Sequence, residues 1–231
     1  MGFFRDSMAM FTNYSLPFKY RTQETEDIHT FHFEKPADFS YEAGQYGLFK
    51  INHEVLKNKT KPFTISSSPD EDTLSITTRV GSKPSPYKRA LMNLNVNHSL
   101  SLKGPIGTFN ETPATGQIFI AGGMGITPFR AMIKSAAFNK VPSKITLIYF
   151  TDDEEPLFKD ELESYEKDGF VTLHIKTYDR FSELDQYISD DGSARYLVAG
   201  PDQFVTSTFT QLISKGIKKK HIKKDVFYGY K

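Results

Sequence analysis

The sequence predicts two domains of different class: an antiparallel barrel or sandwich of short strands, followed by an α/β domain built on a parallel sheet. Three observations carry that reading. Between Leu16 and Phe109 the chain runs through six short strand-like segments broken by turns. After "NETPATG" the segments become apolar and alternate with stretches of helical spacing. At the head of that second half stands "IAGGMGITPFRAMI", Ile120 to Ile133, which combines a strand, a Gly-x-Gly and a helix start.

The first-half strands are "FKYRTQ", "IHTFHFE", "QYGLFKI", "KPFTISSS", "DTLSITTRV" and "HSLSLKG". Leu74, Ile76 and Thr78 alternate with Ser75, Thr77 and Arg79, the period of a half-buried strand. Six such segments at this spacing predict the barrel or sandwich. One helix interrupts them in "KPSPYKRALMNL", where Ser85 is a natural N-cap and Pro86 suits the first helical position. In the second half, "QIFIAGG", "SKITLIYF", "VTLHIKTY" and "ARYLVAG" are strands, and "TPFRAMIKSAAF", "LFKDELESYEK" and "DQFVTSTFTQLISKG" are helices. Phe204, Phe209, Leu212 and Ile213 form the apolar face of the last helix, and Gly216 ends it. Apolar strands alternating with helices give a parallel sheet covered on both faces. The expected domains are residues 1–112 and 113–231, joined near Glu111 to Gly116.

Composition narrows the chemistry. A chain of 231 residues holds one large domain or two ordinary ones, and a net charge of +1 exerts no global pull towards nucleic acid or an anionic membrane. The sequence has no cysteine, which excludes disulfides, thiolate metal sites and cysteine nucleophiles. His29 and His32, the nearest histidines, have an odd separation that sends them to opposite faces of a strand, so no metal set or catalytic triad is suggested. "KGIKKKHIKK" places six lysines within ten residues. Without interleaved aromatics it reads as a solvated loop; its functional alternative is a docking patch for an acidic electron carrier. No apolar run is long enough to span a bilayer, and "MGFFRDSMAMF" is too short and interrupted for a secretory signal, so the expected location is cytoplasmic.

The glycine turn follows the first strand of the parallel sheet, where ligands sit in doubly wound folds. Gly122, Gly123 and Gly125 are read as letting backbone approach a pyrophosphate; Thr127 is read as capping the helix and Pro128 as presetting its first turn. Pro128 stands where the dinucleotide fingerprint has its third glycine. An ordinary glycine-rich loop fits the same residues.

The first half bears on that choice. "KPFTISSSP" resembles the flavin-binding Arg-x-Tyr-Ser/Thr stretch of the ferredoxin–NADP⁺ reductase superfamily. "AGQY" precedes it, and "VGSKPS", "GPIGTF", "AGGMGITP", "LVAGPDQF" and the terminal "DVFYGY" follow in the family's order. The resemblance covers almost the whole chain. It implies a six-stranded antiparallel Greek-key β-barrel that binds a flavin, FAD rather than FMN by the family's habit, and a pyridine-nucleotide domain after it.

Site residues follow from the resemblance. Lys61, at the family's arginine, would meet the flavin's phosphate; Phe63, at its tyrosine, would pack along the flavin; Thr64 would offer a hydroxyl near the reactive nitrogen. Pro62, Tyr46, Thr77, Thr78 and Arg79 would line the cofactor, and Pro84 and Ser85 would bring a helix N-terminus to the pyrophosphate. Lysine lacks arginine's bidentate fork and Phe63 has no phenol, which implies a flavin held less tightly. In the nucleotide domain the implied contacts are Gly200, Pro201 and Phe204, with Ala199 replacing the family's cysteine beside the nicotinamide. Phe227 would cover the flavin where nicotinamide docks, with Asp225 nearby; Tyr230 is a core or edge residue.

The carboxylates Asp152, Asp153, Glu154 and Glu155 follow the second strand of this domain and would repel a 2′-phosphate, favouring NADH over NADPH. A solvated acidic run complementing a helix N-terminus fits them too, and Arg180 would rescue NADPH binding. The expected activity is hydride transfer from NAD(P)H to a bound flavin and electron delivery to a separate ferredoxin, flavodoxin, haem protein, ferric complex, free flavin or quinone. The competing class is a non-catalytic flavin- or nucleotide-binding sensor or regulatory subunit, kept open by Lys61, Phe63 and Ala199.

Overall fold

The computed structural model describes residues 12–110, 116–141, 144–188 and 194–228. The chain divides into two compact units, Met1–Asn110 and Glu111–Lys231. The opening segment Met1–Phe11, the joint at 111–115 and Tyr230 lie outside the described residues.

The first unit is one six-stranded antiparallel sheet, β1 (Asn13–Gln23), β2 (Ile28–Glu34), β3 (Tyr46–Ile51), β4 (Thr60–Thr64), β5 (Thr73–Arg79) and β6 (Ser99–Ile106), in the order β4-β3-β6-β1-β2-β5. The two ends of that order meet just past β4, where the Ser66 N–H donates to the Ser75 carbonyl of β5 at 2.8 Å. The sheet is thereby closed into the expected Greek-key barrel, around Leu16, Phe31, Phe33, Phe49, Ile65, Leu74, Ile76 and Leu100. Helix α1 (Pro86–Met92) begins as expected, with the Ser85 hydroxyl accepting from the Lys88 N–H and Pro86 next to it.

β5 differs from its expected half-burial. Ser75 and Thr77 are as buried as Leu74 and Ile76. Their hydroxyls belong to a buried chain: Thr30 to Thr77 at 2.9 Å, Thr77 donating to Ser66 at 2.9 Å, and Ser66 to Ser75 at 3.0 Å. Beside it the Ser75 N–H donates to the Ser67 hydroxyl, which also bonds the Tyr41 phenol at 2.9 Å. A buried hydroxyl is tolerated when it is paired, and here the pairs are one another.

The second unit is a five-stranded parallel sheet in the order β11-β10-β7-β8-β9, made of β7 (Gln117–Gly122), β8 (Ile145–Phe150), β9 (Val171–Lys176), β10 (Arg195–Pro201) and β11 (Ile222–Phe227). Helices α2 (Ile126–Phe138), α3 (Lys159–Lys167) and α4 (Asp202–Ser214) connect it, and a 3-10 stretch, Tyr178–Tyr187, stands between β9 and β10. α4 buries Phe204, Val205, Thr208 and Leu212; Phe209 and Ile213, expected in that face, are only half-buried because the helix is rotated towards Thr208. Gly216 ends α4 with φ +86°, its N–H bonding the Ile213 carbonyl while the Ile217 N–H reaches Leu212. That is a Schellman ending.

The lysine run is not a loop. It continues from α4 through a 3-10 turn into edge strand β11, with Lys215 paired to Asp185 at 2.6 Å and Lys224 over the Phe209 ring at 4.1 Å. Lysines on a sheet edge oppose edge-to-edge pairing. No helix among the described residues is long and apolar enough to cross a membrane.

Candidate functional site

In the first unit the expected flavin residues gather on β3, β4 and α1. Tyr46 and Thr64 are register partners, as are Leu48 and Pro62, and Phe49 and Lys61. Lys61 and Pro62 are exposed, Phe63 is half-buried and Thr64 is buried, so β4 sinks into the barrel along its length. The Phe63 ring stacks on Tyr87 of α1 at 5.7 Å and meets Phe49 edge-on at 6.1 Å. One face of Phe63 is therefore taken by protein. Tyr87 holds α1 to the strand by donating to the Phe49 carbonyl at 2.9 Å, and burial pushes its phenol far above the usual range. Ser85 stays exposed and Pro84 half-buried beside it.

Of the expected cofactor residues on β5, Thr77 is tied into the hydroxyl chain and Thr78 is fully buried. Arg79, at the end of β5, binds both carboxylate oxygens of Asp27 at 2.9 Å. Lys88 lies near that pair; burial, then the Arg79 charge, lowers its ammonium pKa.

In the second unit the glycine turn sits at the carboxyl end of β7, between β10 and β8. Two of its glycines, with Gly200, are also required by packing. A Cβ at Gly125 would fall on the Ala199 carbonyl and 2.7 Å from the Gly200 nitrogen; one at Gly122 would lie 2.6 Å from the Phe204 ring. Gly200, at φ +151°, has the Gly122 carbonyl 2.9 Å from its Cβ position. These three glycines let β7, β10 and α4 touch. Phe204 is correspondingly buried, wedged among Phe150, Tyr178 and Phe181.

Thr127 is not the cap of α2. A 3-10 turn, Gly123–Gly125, leads into the helix, Gly125 occupies the cap position without any side-chain bond, and the Thr127 hydroxyl donates backwards to the Met124 carbonyl at 3.1 Å. Pro128 lies buried in the first turn, where its missing N–H has no intrahelical partner to lose. Through Ala121–Phe129 every residue is buried except Gly123, which has φ +50° and is half-buried. An anion approaching this uncapped helix start meets the chain at Gly123.

The surrounding loops were only partly legible. Asp152 is exposed but accepts the Tyr178 N–H at 3.0 Å, and Asp153 accepts the Thr151 hydroxyl at 3.0 Å. α3 begins at Lys159 and has Asp160 and Glu161 in its own first turn, so Asp152–Glu155 do not complement it. Arg180 pairs with Glu183, which also holds Lys176 at 2.8 Å. Tyr178 had no motif to announce it; its hydroxyl stands 3.5 Å from the position a Cβ on Gly123 would take.

At the far end of the sheet, Asp225 pairs in register with Ala199, and Phe227 with Pro201. Both Asp225 and Phe227 are half-buried, and burial raises the Asp225 carboxyl pKa to about 6. Among the described residues no group of three or more His, Cys, Asp or Glu is arranged to hold a metal ion.

Residues 13–123 match the family model described as "FAD-binding domain", and residues 119–209 match "Oxidoreductase NAD-binding domain". The chain is similar to flavohemoprotein A of Dictyostelium discoideum, 24% identical over 235 residues, which is 90% of this chain and 58% of that protein. It is similar as well to the glycine betaine monooxygenase reductase subunit of Pseudomonas aeruginosa, 34% identical over 119 residues, which is 48% of this chain and 32% of that one. The chain thus spans less than two thirds of either relative, 58% and 32%. The solved ferredoxin–NADP⁺ reductase from Plasmodium falciparum shares the fold, with a TM-score of 0.78 at 18% identity over 93% of this chain and 96% of that one.

Proposed function

We propose that the chain, which joins an FAD-binding domain to an oxidoreductase NAD-binding domain and shares the fold of a ferredoxin–NADP⁺ reductase, is a flavoprotein oxidoreductase, taking hydride from a dihydronicotinamide dinucleotide and delivering electrons to a separate acceptor. The carrying observation is that a single chain joins an FAD-binding domain to an NAD-binding domain. The residues fit both groups. In the first unit the exposed Lys61 supplies a cation for a flavin's phosphate, Phe63 and Tyr46 supply ring surface, Thr64 is the proposed hydroxyl neighbour, and Pro62, Pro84 and Ser85 border the same strand and helix. In the second unit the start of α2, which no side chain caps, is proposed to meet a diphosphate at Gly123.

When bound, the flavin supplies a ring that accepts hydride and releases electrons; the protein supplies position and electrostatics. Phe227 is the proposed aromatic that would pack on the flavin ring. Asp225 keeps a proton up to about pH 6 and is the proposed proton-holding group beside it. FAD is proposed over FMN, consistent with the matched domain. NADH is proposed over NADPH on the four carboxylates after β8. The acceptor classes are a ferredoxin, flavodoxin, haem protein, ferric complex, free flavin or quinone. Among them an acidic carrier suits the lysines of residues 215–224. The proposed compartment is the cytoplasm, where pyridine nucleotides are at hand.

The test is a visible spectrum of the purified protein, with and without added FAD, before and after anaerobic NADH or NADPH. Bound flavin that bleaches at lower NADH than NADPH is the expected result. Failure to bind FAD or FMN at micromolar concentration, or a bound flavin that neither nucleotide reduces, overturns the oxidoreductase. Lys61→Arg is expected to tighten flavin binding; unchanged or weaker binding removes Lys61 from the phosphate.

A further inference from the structure

We infer that the Tyr178 hydroxyl is a ligand for the diphosphate of the bound dinucleotide, and that Asp152 is the residue that positions it. The inference rests on the glycine turn being the nucleotide cradle proposed above. It begins from accessibility. From Ala121 to Phe129 Gly123 is the one residue that is not buried, so it is the most accessible point at the uncapped start of α2. Gly123 has φ +50° and opens the 3-10 turn that leads into α2. Beside Gly123, 3.5 Å from where a Cβ on it would lie, is the Tyr178 hydroxyl. A phenol donates a hydrogen bond without bringing a charge, so it adds a donor to a diphosphate already facing backbone N–H groups.

The hydroxyl is held there from two sides. Its ring stacks on Phe150 at 6.4 Å and stands edge-on to Phe204 at 5.8 Å, an apolar seat that fixes the direction of the Cζ–O bond. Its backbone N–H donates to Asp152 Oδ1 at 3.0 Å, tying the loop after β9 to the loop after β8. The 3-10 stretch then continues with the Arg180 N–H on the Thr177 carbonyl at 3.1 Å. Asp152 therefore acts through a backbone bond to Tyr178, a role distinct from repelling a 2′-phosphate. It is a positioning residue, and what it requires is an acceptor oxygen, with or without charge.

Titration calorimetry with ADP-ribose separates these roles and does not depend on a flavin. Tyr178→Phe keeps the ring and its packing and loses only the hydroxyl; its Kd for ADP-ribose is expected to rise about tenfold, the usual loss of a hydrogen bond to a charged group. Asp152→Ala is expected to raise Kd about fivefold, while Asp152→Asn, whose amide oxygen still accepts, stays within about twofold of wild type. In anaerobic stopped-flow, Tyr178→Phe raises the NADH concentration for half-maximal reduction and leaves the rate at saturation unchanged. A Tyr178→Phe Kd equal to wild type overturns the ligand role. Asp152→Ala equal to wild type, or Asp152→Asn as weak as Asp152→Ala, overturns the positioning role. Wild type that binds ADP-ribose but whose flavin NADH does not reduce overturns the oxidoreductase and leaves the Tyr178 variants to be compared. Wild type that binds no ADP-ribose overturns both.

Discussion

The barrel wall and the carboxyl end of the parallel sheet handle polar groups in opposite ways. On the wall, Thr30, Thr77, Ser66 and Ser75 satisfy one another, and Ser85 spends its hydroxyl on the Lys88 N–H at the start of α1. At the sheet end, α2 starts on glycine without a side-chain cap, Thr127 turns its hydroxyl away to Met124, and Asp225 holds a carboxyl that burial makes reluctant to ionise. The sequence motifs looked alike, a hydroxyl residue next to a proline at a helix start in both cases. What differs is whether a side chain caps the helix's first turn, as Ser85 does, or none does, as at Gly125. A self-capped start stabilises the fold; an open one is where binding free energy is available.

The largest way to break the sheet end is Gly125→Ala. Its methyl would meet backbone, the Ala199 carbonyl and the Gly200 nitrogen, so the strands must part. A loss of about 3 kcal/mol or more is expected by thermal denaturation, with ADP-ribose binding lost alongside. Gly81→Ala in the first unit, with nothing within 4 Å of its Cβ position, is the silent control.

Asp225 gives the next effect, and it depends on pH. Its folded pKa of about 6 lies above the ordinary carboxylate value of 3.8, so the folded state holds the proton more tightly than the unfolded chain. Stability from this group is complete below pH 3.8 and is lost as pH rises through 6. Two pH units correspond to roughly 3 kcal/mol as an upper bound, since the side chain is only half-buried. Asp225→Asn is expected to be more stable than wild type at pH 7.5 and to close that gap by pH 4 in urea titrations. A gap that does not change with pH removes the carboxyl from the comparison.

Two smaller losses probe the barrel. Thr77→Val keeps the shape and removes the middle of the hydroxyl chain, leaving Thr30 and Ser66 short of a buried partner; about 2 kcal/mol is expected. Ser85→Ala removes a cap and is expected to cost about 1 kcal/mol. If Ser85→Ala is neutral while flavin affinity falls, Ser85 serves the cofactor more than the helix, and the contrast between the two helix starts weakens.

Legibility followed the same divide. β2 runs over Ile28–Glu34, the segment read from "IHTFHFE", because Phe31 and Phe33 alternate with polar residues and turns bound it. The Ser85–Pro86 start and the Gly216 end were readable because each depends on one residue's local chemistry. The burial of Ser75 and Thr77 was not, since hydropathy assigns a serine or threonine to the surface and cannot see that its partners are other hydroxyls. Thr127 misled because a capping threonine and one that bonds backwards carry the same letter. In Tyr178–Tyr187 the apolar residues Tyr178, Phe181, Leu184 and Tyr187 recur every third residue, the 3-10 period, and Arg180 breaks the helical geometry, so an α-helical pattern does not find it. For the site, residue types at the glycine turn were legible, while the reason for Gly122, Gly125 and Gly200 emerged only from the strands packed against them.

Those packed glycines also set which histories the chain can take. The obstacle to a side chain at Gly122 is the Phe204 ring, another side chain, so a lineage could exchange both, Gly122 to alanine and Phe204 to leucine, without crossing a broken intermediate if the smaller residue came first. The obstacle at Gly125 is main chain, which no second substitution can shrink. Position 122 is thus free to drift in company with 204, whereas 125 has no companion and stays glycine for as long as β7 and β10 remain neighbours.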